Sequence, residues 1–279
     1  MAANTISTSF VEQFGRDVHL AYQRLTAKLR PTVRQRSGVV GYRTRFNKMG
    51  TAEASQKARL GEVQVNNIAH TNVWCNLEDW YSSEMVERLD ELKIDHDERG
   101  NVATLLGAAL NRKDDALIIA AMDAGTTASG NQVAEGGTAL TIGKVRTVFE
   151  AFGDGDVPDD GNRWWLVSPA GWADLMNIDQ FANADYIGSD LPYPQIGYTT
   201  RRWFSFNFMM FSGLPKTGDT RSTYVYHSSA VGHAAQMLPA IDITWQGKNQ
   251  GHLFVQKMAT GAVEIDANGL YEVDIDEAA

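Results

Sequence analysis

The N-terminal part of the chain predicts an amphipathic helix followed by a polar ribbon. Apolar side chains recur every three or four residues over 5–30, a spacing that places them on one face of a helix ended by Pro31. Residues 38–75 hold short alternating runs at 40–46 and 63–65 around a charged, glycine-containing centre, which predicts a two-stranded excursion with a polar tip. The helix face consists of Phe10, Phe14, Val18, Ala21, Leu25 and Leu29.

The middle of the chain predicts mainly helix. Residues 81–98 have a broken helical pattern, and a long periodic helix follows from a cap at Asn101 to about Asp123. At 1.5 Å per residue, that helix would be roughly 35 Å long. A glycine-rich loop at 125–137 and a helix at 141–152 complete this part.

The C-terminal half predicts mostly strands. In the run 203–211, Phe204, Phe206 and Phe208 alternate and would share one face of a core strand. Asn268-Gly269 is a strong hairpin signal. The other predicted elements are an acidic turn at 153–162, strands at 164–168, 222–227, 241–245, 252–258, 263–265 and 271–275, and helices at 169–178 and 228–237. The predicted fold class is therefore α+β.

Composition excludes several classes of protein. The chain has 279 residues, of which 43% are hydrophobic, enough for a substantial core. It has no run of 18 apolar residues, which excludes a helical membrane span, and its N-terminus lacks the apolar core of a signal peptide. Cys75 is the single cysteine, so no internal disulfide can form, as is typical of a reducing cytosol.

Charge is unevenly distributed along the chain. The 25 basic and 34 acidic residues give −9 overall, yet residues 1–50 carry nine bases and two acids, or +7. The remainder holds 16 bases and 32 acids, or −16. Such polarity favours a basic arm that meets an acidic partner, either nucleic acid or the body of an identical subunit. A solvated basic helix on a lone subunit is the alternative.

Few motifs point to chemistry. No phosphate-binding loop, dinucleotide fingerprint or Gly-x-Ser-x-Gly elbow occurs, and the six histidines lack zinc-ligand spacing. The best metal candidates are Asp154, Asp156, Asp159 and Asp160. Pro158 and Trp165 occupy positions where a calcium loop needs ligands, so this segment is expected to be a solvated turn.

Other polar residues are interpreted as structural. Asp114 and Asp115 point about 100° apart on a helix, so they favour a surface or salt-bridge role over a shared acid–base site. Cys75 is expected to be a small buried side chain. His227 and His233 are expected to be structural or exposed.

The order of these features resembles the major capsid proteins of tailed bacteriophages, which have the Hong Kong 97 type fold. The likeness covers most of the chain and depends on an ordered set of segments. They are SFVEQFGRDVHLAYQRLTAKLRPTV, the basic ribbon, RKDDALIIAAMDAGTT, LTIGKVRTVFEAF with WWLVSPAGWADLM, FNFMMFSGLP, and ATGAVEIDANGLYEVDI.

The resemblance implies a domain organisation. It comprises an N-terminal arm at 1–37, an extended β-hairpin loop at 38–75, a peripheral domain at 76–140 with a spine helix at about 101–123, an axial domain at 141–245, and returning strands of the peripheral domain at 246–279.

The resemblance also implies a function and partners. The expected protein is not an enzyme and needs no cofactor: it self-assembles, as hexamers and pentamers, into an icosahedral head shell enclosing double-stranded phage DNA. The chain offers no room for an N-terminal scaffolding domain, so a separate scaffolding protein is expected, together with a portal, a candidate decoration protein and non-specific DNA contact, and with no membrane. Its location would be the virion, after assembly in the host bacterial cytoplasm. The alternatives are an encapsulin-like compartment shell and, less favoured, a soluble metal-dependent hydrolase that uses the acidic turn.

Subunit contacts are expected from the apolar arm and the basic residues near the ribbon. The arm carries an apolar stripe, which favours a neighbouring subunit over DNA as its partner. Lys48 and Lys57 lie near the ribbon, but no carboxylate that could catalyse an isopeptide cross-link accompanies them. The predicted contact residues are Phe10, Phe14, Val18, Arg30, Arg34, Arg36, Arg43 and Arg45.

Overall fold

A computed structural model describes residues 22–91, 98–182 and 200–278, and these residues form a mixed α+β structure as predicted. The strands are β1 (Arg34–Ser37), β2 (Arg43–Met49), β3 (His70–Asn76), β4 (Glu78–Glu87), β5 (Gln132–Val133), β6 (Arg163–Val167), β7 (Thr200–Trp203), β8 (Phe206–Met210), β9 (Lys216–Thr217), β10 (Thr220–His227), β11 (Val231–Gln246), β12 (Gly251–Glu264) and β13 (Leu270–Asp276). The helices are α1 (Arg88–Glu91), α2 (Glu98–Ser129), α3 (Ile142–Asp154), α4 (Pro169–Met176) and α5 (Asp179–Ala182), with 3-10 turns at Arg30–Thr32 and Ala267–Gly269.

The chain forms two compact units. The smaller unit consists of residues up to Ala27, Asp79–Lys113 and Met237–Met258. The larger unit consists of Lys28–Glu78, Asp114–Gln236 and Ala259–Ala279. The domain boundaries implied by the family resemblance remain a prediction.

An aromatic core holds the larger unit together. Its main sheet has the order β5-β13-β10-β6-β8-β7, with β6 and β8 parallel and β10 antiparallel to both β6 and β13. Trp165 on β6 stacks on Phe208 on β8, with ring centroids 5.1 Å apart, and both side chains are fully buried. Residues from α3 and α4 join the same cluster, among them Phe152 and Trp172. Because β6 is central in this sheet, its sequence is a continuous apolar run and does not alternate.

The smaller unit has its own small core. Val86 on β4, Val102 and Leu106 on α2, and Phe254 on β12 form one buried cluster. The amide of Gln256 donates to the carbonyl of Ala103 at 2.8 Å, which fastens the same strand to the helix. The helix therefore covers one face of this part of the sheet.

Two predicted helices are strands in the structure. Residues 81–87 lie in β4 and 88–91 form the short α1, while 92–97 lie outside the described residues; residues 81–87 are a strand because Val86 packs in the sheet against Phe254 and tertiary packing overrides local preference. Residues 228–237 lie largely in β11. Its small residues suit a tight contact with the ribbon, since a Cβ on Gly232 would lie 2.8 Å from the Phe46 ring.

The long helix is longer than predicted. It continues to Ser129 through Gly125, so the prediction that it ends near Asp123 and yields to a loop at 125 was wrong. A Cβ on Gly125 would lie 2.6 Å from the Glu264 carboxylate, so this glycine permits close packing and does not terminate the helix. The helix also begins before Asn101, the predicted cap, since Glu98 is already helical.

Several turns also differ from prediction. The run 203–211 is interrupted by a turn at Phe204 and Ser205, whose φ values of 48° and 63° are left-handed. Phe204 is therefore outside the core strand, which retains Phe206 and Phe208. Asn268-Gly269 forms part of a 3-10 turn instead of a tight hairpin. The predicted strands at 252–258 and 263–265 are one continuous strand up to Glu264, β12.

The N-terminal helix prediction falls partly outside the described residues. Residues 22–29 are not α-helical, and Pro31 lies within the 3-10 turn Arg30–Thr32, so the expectation of a helix reaching residue 30 was wrong. The strand predicted at 63–65 is absent from the described ribbon; β3 begins at His70 instead.

Gly261 tests the packing of β12. A Cβ at this position would overlap the carbonyl oxygen of Asn76, a backbone atom that cannot move aside cheaply. We expect Gly261→Ala to lower the free energy of unfolding by about 1–3 kcal/mol, the usual cost of overpacking. Thermal and urea unfolding would measure it. Gly153→Ala in α3 is the control: nothing lies within 4 Å of its Cβ, and it should be neutral or stabilising. Equal stability of the two variants would contradict this packing.

Candidate assembly surfaces

The ribbon β2–β3 has one face fastened to its own subunit. Its antiparallel register runs from Arg43↔Asn76 to Met49↔His70. Alternation places Phe46 and Cys75 on the inner face, where they join Ala234 and Ile265 in a buried cluster. The base of the ribbon is therefore part of the larger unit's core.

The far end of the ribbon is exposed. Residues 50–69 have no regular strand, and almost all of them are solvent-accessible. Leu60 is 96% exposed and Val65 is 92% exposed, which is unusual for large apolar side chains so close together. Apolar surface of this kind indicates a contact with another molecule.

The outer face of the ribbon is basic and aromatic. The Arg43 guanidinium lies 4.3 Å from the Trp74 ring centroid and 5.2 Å from that of Tyr42. Trp74 is 47% exposed, and Arg45 is its direct cross-strand neighbour. Neither β2 nor β3 contains an acidic residue. This face is suited to a partner that is acidic, or that presents carbonyl groups to arginine.

Four of the five predicted contact arginines lie together at the root of the ribbon. Arg34 and Arg36 on β1 are exposed, like Arg43 and Arg45 on β2. Arg36 donates to the carbonyl of Arg45 at 2.8 Å, and Arg34 lies 5.8 Å from the Phe46 ring centroid. The fifth, Arg30, contacts Asp114 in its own subunit at 2.6 Å.

The paired aspartates on α2 are both fully buried, so the surface interpretation was wrong and the salt-bridge interpretation was right for Asp114. Asp114 accepts hydrogen bonds from Arg30 and from Nε2 of His233. Burial by itself would raise the pKa of Asp114, but these two partners outweigh burial and the net pKa is lowered. Asp115 instead accepts backbone N–H groups from Lys28 and Leu29.

The smaller unit presents an acidic, partly apolar sheet face. Side chains at alternate positions of β4 share a face, and since Val86 faces the helix, Asp79, Tyr81, Met85 and Glu87 lie on the other side. All four are exposed, with Tyr81 at 66%. β4 carries four acids and no base. In the same sheet, β11 is separated from β4 by β12, and its Leu238, Ile241, Ile243 and Trp245 are each between 42% and 51% exposed.

The acidic turn has protein partners. Asp159 accepts a hydrogen bond from Ser205 and pairs with Arg202 at 3.7 Å. Asp160 pairs with Nε2 of His227 at 3.0 Å, and hydrogen bonds from Asn162 and His227 lower its pKa. Within residues 22–91, 98–182 and 200–278, no cluster of three potential ligands could hold a metal ion. No helix in the same ranges combines the length and hydropathy of a membrane span.

The apolar arm residues Phe10, Phe14 and Val18 lie outside the described residues, so their contacts remain a prediction. Of the two lysines considered for cross-linking, Lys48 pairs with Asp266 of its own subunit at 2.8 Å. Lys57 lies at the exposed end of the ribbon.

The long helix and the extended ribbon are features that the sequence analysis expected of a phage capsid protein, and the family comparison agrees. A family model described as phage capsid protein matches residues 6–277. The chain belongs to this family. No curated protein matches it significantly.

Several solved phage structures share the fold of this chain. The capsid of cyanophage P-SCSP1u is 18% identical, with a TM-score of 0.73 over 98% of this chain and 96% of that one. A Mycobacterium phage Adephagia chain is 14% identical, with a TM-score of 0.73 over 99% and 98%. A Mycobacterium phage Che8 chain is 12% identical, with a TM-score of 0.70 over 100% of both. The Hong Kong 97 type fold is thereby confirmed.

Two features of the structure were not predicted from the sequence: the burial of Asp114 and Asp115, and the acidic face of β4. The burial of Asp114 and Asp115 could not be inferred from their charge. Two adjacent acids inside an apolar helix do, however, indicate that polar partners must be nearby. The acidic face of β4 was hidden because 81–98 was interpreted as helix.

Cys75 reports whether the ribbon base is docked. Burial raises the pKa of its thiol to about 11, so less than about 1% is thiolate at pH 8. We expect native subunits to react with a thiol reagent many-fold more slowly than unfolded protein, as followed by absorbance. Phe46→Ala, which opens the cluster around Cys75, should accelerate labelling, whereas Asn47→Ala on the outer face should not. Rapid labelling of the unaltered native protein would contradict the docked arrangement.

Proposed function

We propose that this protein is the major capsid protein of a tailed bacteriophage and forms the icosahedral head shell around double-stranded DNA. The single observation that supports this best is the match to the phage capsid protein family over residues 6–277. Its role is structural, and its place is the virion. We further propose assembly in the host cytoplasm as hexamers and pentamers, with a separate scaffolding protein and a portal, and with a decoration protein as a further candidate. DNA would contact the shell non-specifically.

The ribbon is proposed to lie on a neighbouring subunit. Its outer face supplies Arg43, Arg45 and Trp74, and its far end supplies exposed apolar side chains such as Leu60. The β4 face of the smaller unit offers the complementary acids and apolar groups. Opposite charges set the register of such a contact, and apolar burial supplies most of its free energy.

The basic ribbon face predicts salt-sensitive assembly. We expect Arg43→Gln with Arg45→Gln to reduce the yield of empty shells several-fold near 0.05 M salt, because two exposed ion pairs contribute about 0–1 kcal/mol each. The difference between the variant and the unaltered protein should shrink at higher salt. At about 0.15 M salt the Debye length is about 8 Å, and interactions between exposed charges farther apart than this are largely screened. Light scattering and sedimentation without DNA would measure this.

The matched control removes the same charge elsewhere. Arg146→Gln with Arg202→Gln alters two exposed bases of the larger unit outside the ribbon and should assemble normally. If the ribbon variant forms empty shells normally and fails only in DNA packaging, the arginines serve DNA and the neighbour contact is wrong.

The arm is proposed to cover apolar surface on a neighbour. Phe10, Phe14 and Val18 form its stripe, so changing all three to Ala should give soluble subunits or malformed shells in electron micrographs. Glu12→Ala with Arg16→Ala alters the opposite side of the predicted helix and should preserve shells. Regular shells from the stripe variant would refute this role for the arm.

An encapsulin-like compartment is the remaining shell alternative. Particles purified from infected cells should contain double-stranded DNA, whereas an enzyme cargo would favour the compartment. The hydrolase alternative has no support from the acidic turn, whose Asp159 and Asp160 are engaged by Arg202, Ser205 and His227.

A further inference from the structure

The point at which the N-terminal arm joins the larger unit is held by two buried carboxylates. Asp114 and Asp115 are both fully shielded from solvent in the middle of α2. A buried carboxylate is costly unless hydrogen bonds and charges compensate for its lost hydration. Neighbouring helix positions point in different directions, so the two carboxylates hold different groups.

Asp115 holds the two residues that lead into a turn with no side-chain cap. The 3-10 turn Arg30–Thr32 begins after Leu29, whose side chain cannot accept a hydrogen bond from the turn. Oδ1 of Asp115 accepts the backbone N–H groups of Lys28 and Leu29, each at 3.0 Å. These two N–H groups precede the turn, so their charge-assisted hydrogen bonds fix the segment that enters it.

Asp114 fastens the same turn to a strand. Its Oδ2 accepts from Nε and Nη2 of Arg30 at 2.9 and 2.6 Å, and its Oδ1 accepts from Nε2 of His233 at 2.8 Å. His233 lies on β11, where it is the parallel partner of Gln35 on β1. The Asp114 carboxylate therefore holds the turn Arg30–Thr32 beside β11. The strand that follows the turn, β1, pairs with β11.

Further contacts of this turn are directional. The hydroxyl of Thr32 bonds to the carbonyl of Leu29 at 2.7 Å and meets the hydroxyl of Tyr226 at 2.5 Å. Leu29 itself is fully buried in a cluster with Ile118 and Met122 of α2. Burial and hydrogen bonding together fix one conformation of residues 28–32 in the larger unit.

We propose that Asp114 and Asp115 are positioning residues that fix the root of the N-terminal arm, so that the arm reaches a second copy of this chain in one defined direction. We name Lys28, Leu29, Arg30, Asp114, Asp115 and His233 the arm anchor. The inference rests on the proposed role of the arm in subunit contact. Arms that leave their subunits in many directions cannot repeat one contact under the symmetry of a shell.

Hydrogen exchange on soluble, unassembled subunits tests the anchor directly. Asp115→Asn keeps the shape of the side chain but removes its charge and turns one of its acceptors into a donor. We expect residues 28–37 to exchange about ten-fold faster, the effect of losing a hydrogen bond of ordinary strength. Strand β6 in the core should be unchanged, which reports an intact fold. Asp154→Asn, at an exposed position, is the matched control and should alter neither segment.

Arg30 provides a milder test in case the Asp115 variant fails to fold. Its side chain is only 20% exposed, yet it lies at the edge of the anchor. Arg30→Gln should speed exchange of 28–37, and Arg30→Lys should restore only part of the protection, because lysine lacks the rigid guanidinium that directs two N–H groups to Oδ2 of Asp114. Equal protection in Gln, Lys and unaltered protein would overturn the anchor.

Shell assembly by the same variants separates this proposal from the function itself. Loosened 28–37 with malformed or absent shells supports the positioning role. Loosened 28–37 with regular shells overturns it, even if the stripe variant of the arm still blocks assembly. Regular shells from the stripe variant would instead refute the role of the arm in subunit contact, whatever the exchange data show.

Discussion

A two-stranded ribbon cannot cover both of its faces with its own subunit, and the rest of the structure depends on that constraint. One face, with Phe46 and Cys75, is built into the core of the larger unit. The other face and the far end remain exposed, with apolar groups that cost free energy in water. A two-stranded ribbon is marginal by itself, so the docked inner face stabilises its base, and the neighbour proposed above would cover the rest.

The larger unit supplies the rigid base that such an extension needs. Trp165, Phe206 and Phe208 lock the central strands by ring contacts, and every residue of β10 from Thr223 to His227 is buried. Lys144 adds a buried cation whose ammonium donates to the carbonyls of Glu135, Thr138 and Asp274, tying a loop and a strand to α3. Because a close-packed core transmits strain, we expect a displacement where the ribbon or the arm joins the larger unit to affect the packing of that unit.

The sequence predicted the parts of this fold that depend on local pattern. The α+β class, α3, β6 and the two-stranded ribbon follow from periodicity and turn residues. The errors arose where contacts between residues distant in sequence determine the secondary structure. β4 is a strand because Val86 meets Phe254, and α2 passes through Gly125 because a close approach to Glu264 needs a residue without a side chain. For the contact surfaces, the basic residues were predictable from charge. The acidic face of β4 and the burial of Asp114 were not, because both are set by partners distant in sequence.

Hydrogen exchange of the ribbon, compared between free subunits and assembled shells, tests the central claim most directly. Residues 50–69 are exposed in the single subunit and should exchange rapidly there. On assembly the account predicts strong protection of this segment, while β6 in the core remains protected in both states. Equally rapid exchange of 50–69 in intact shells would show that no neighbour covers the ribbon, and would contradict the account.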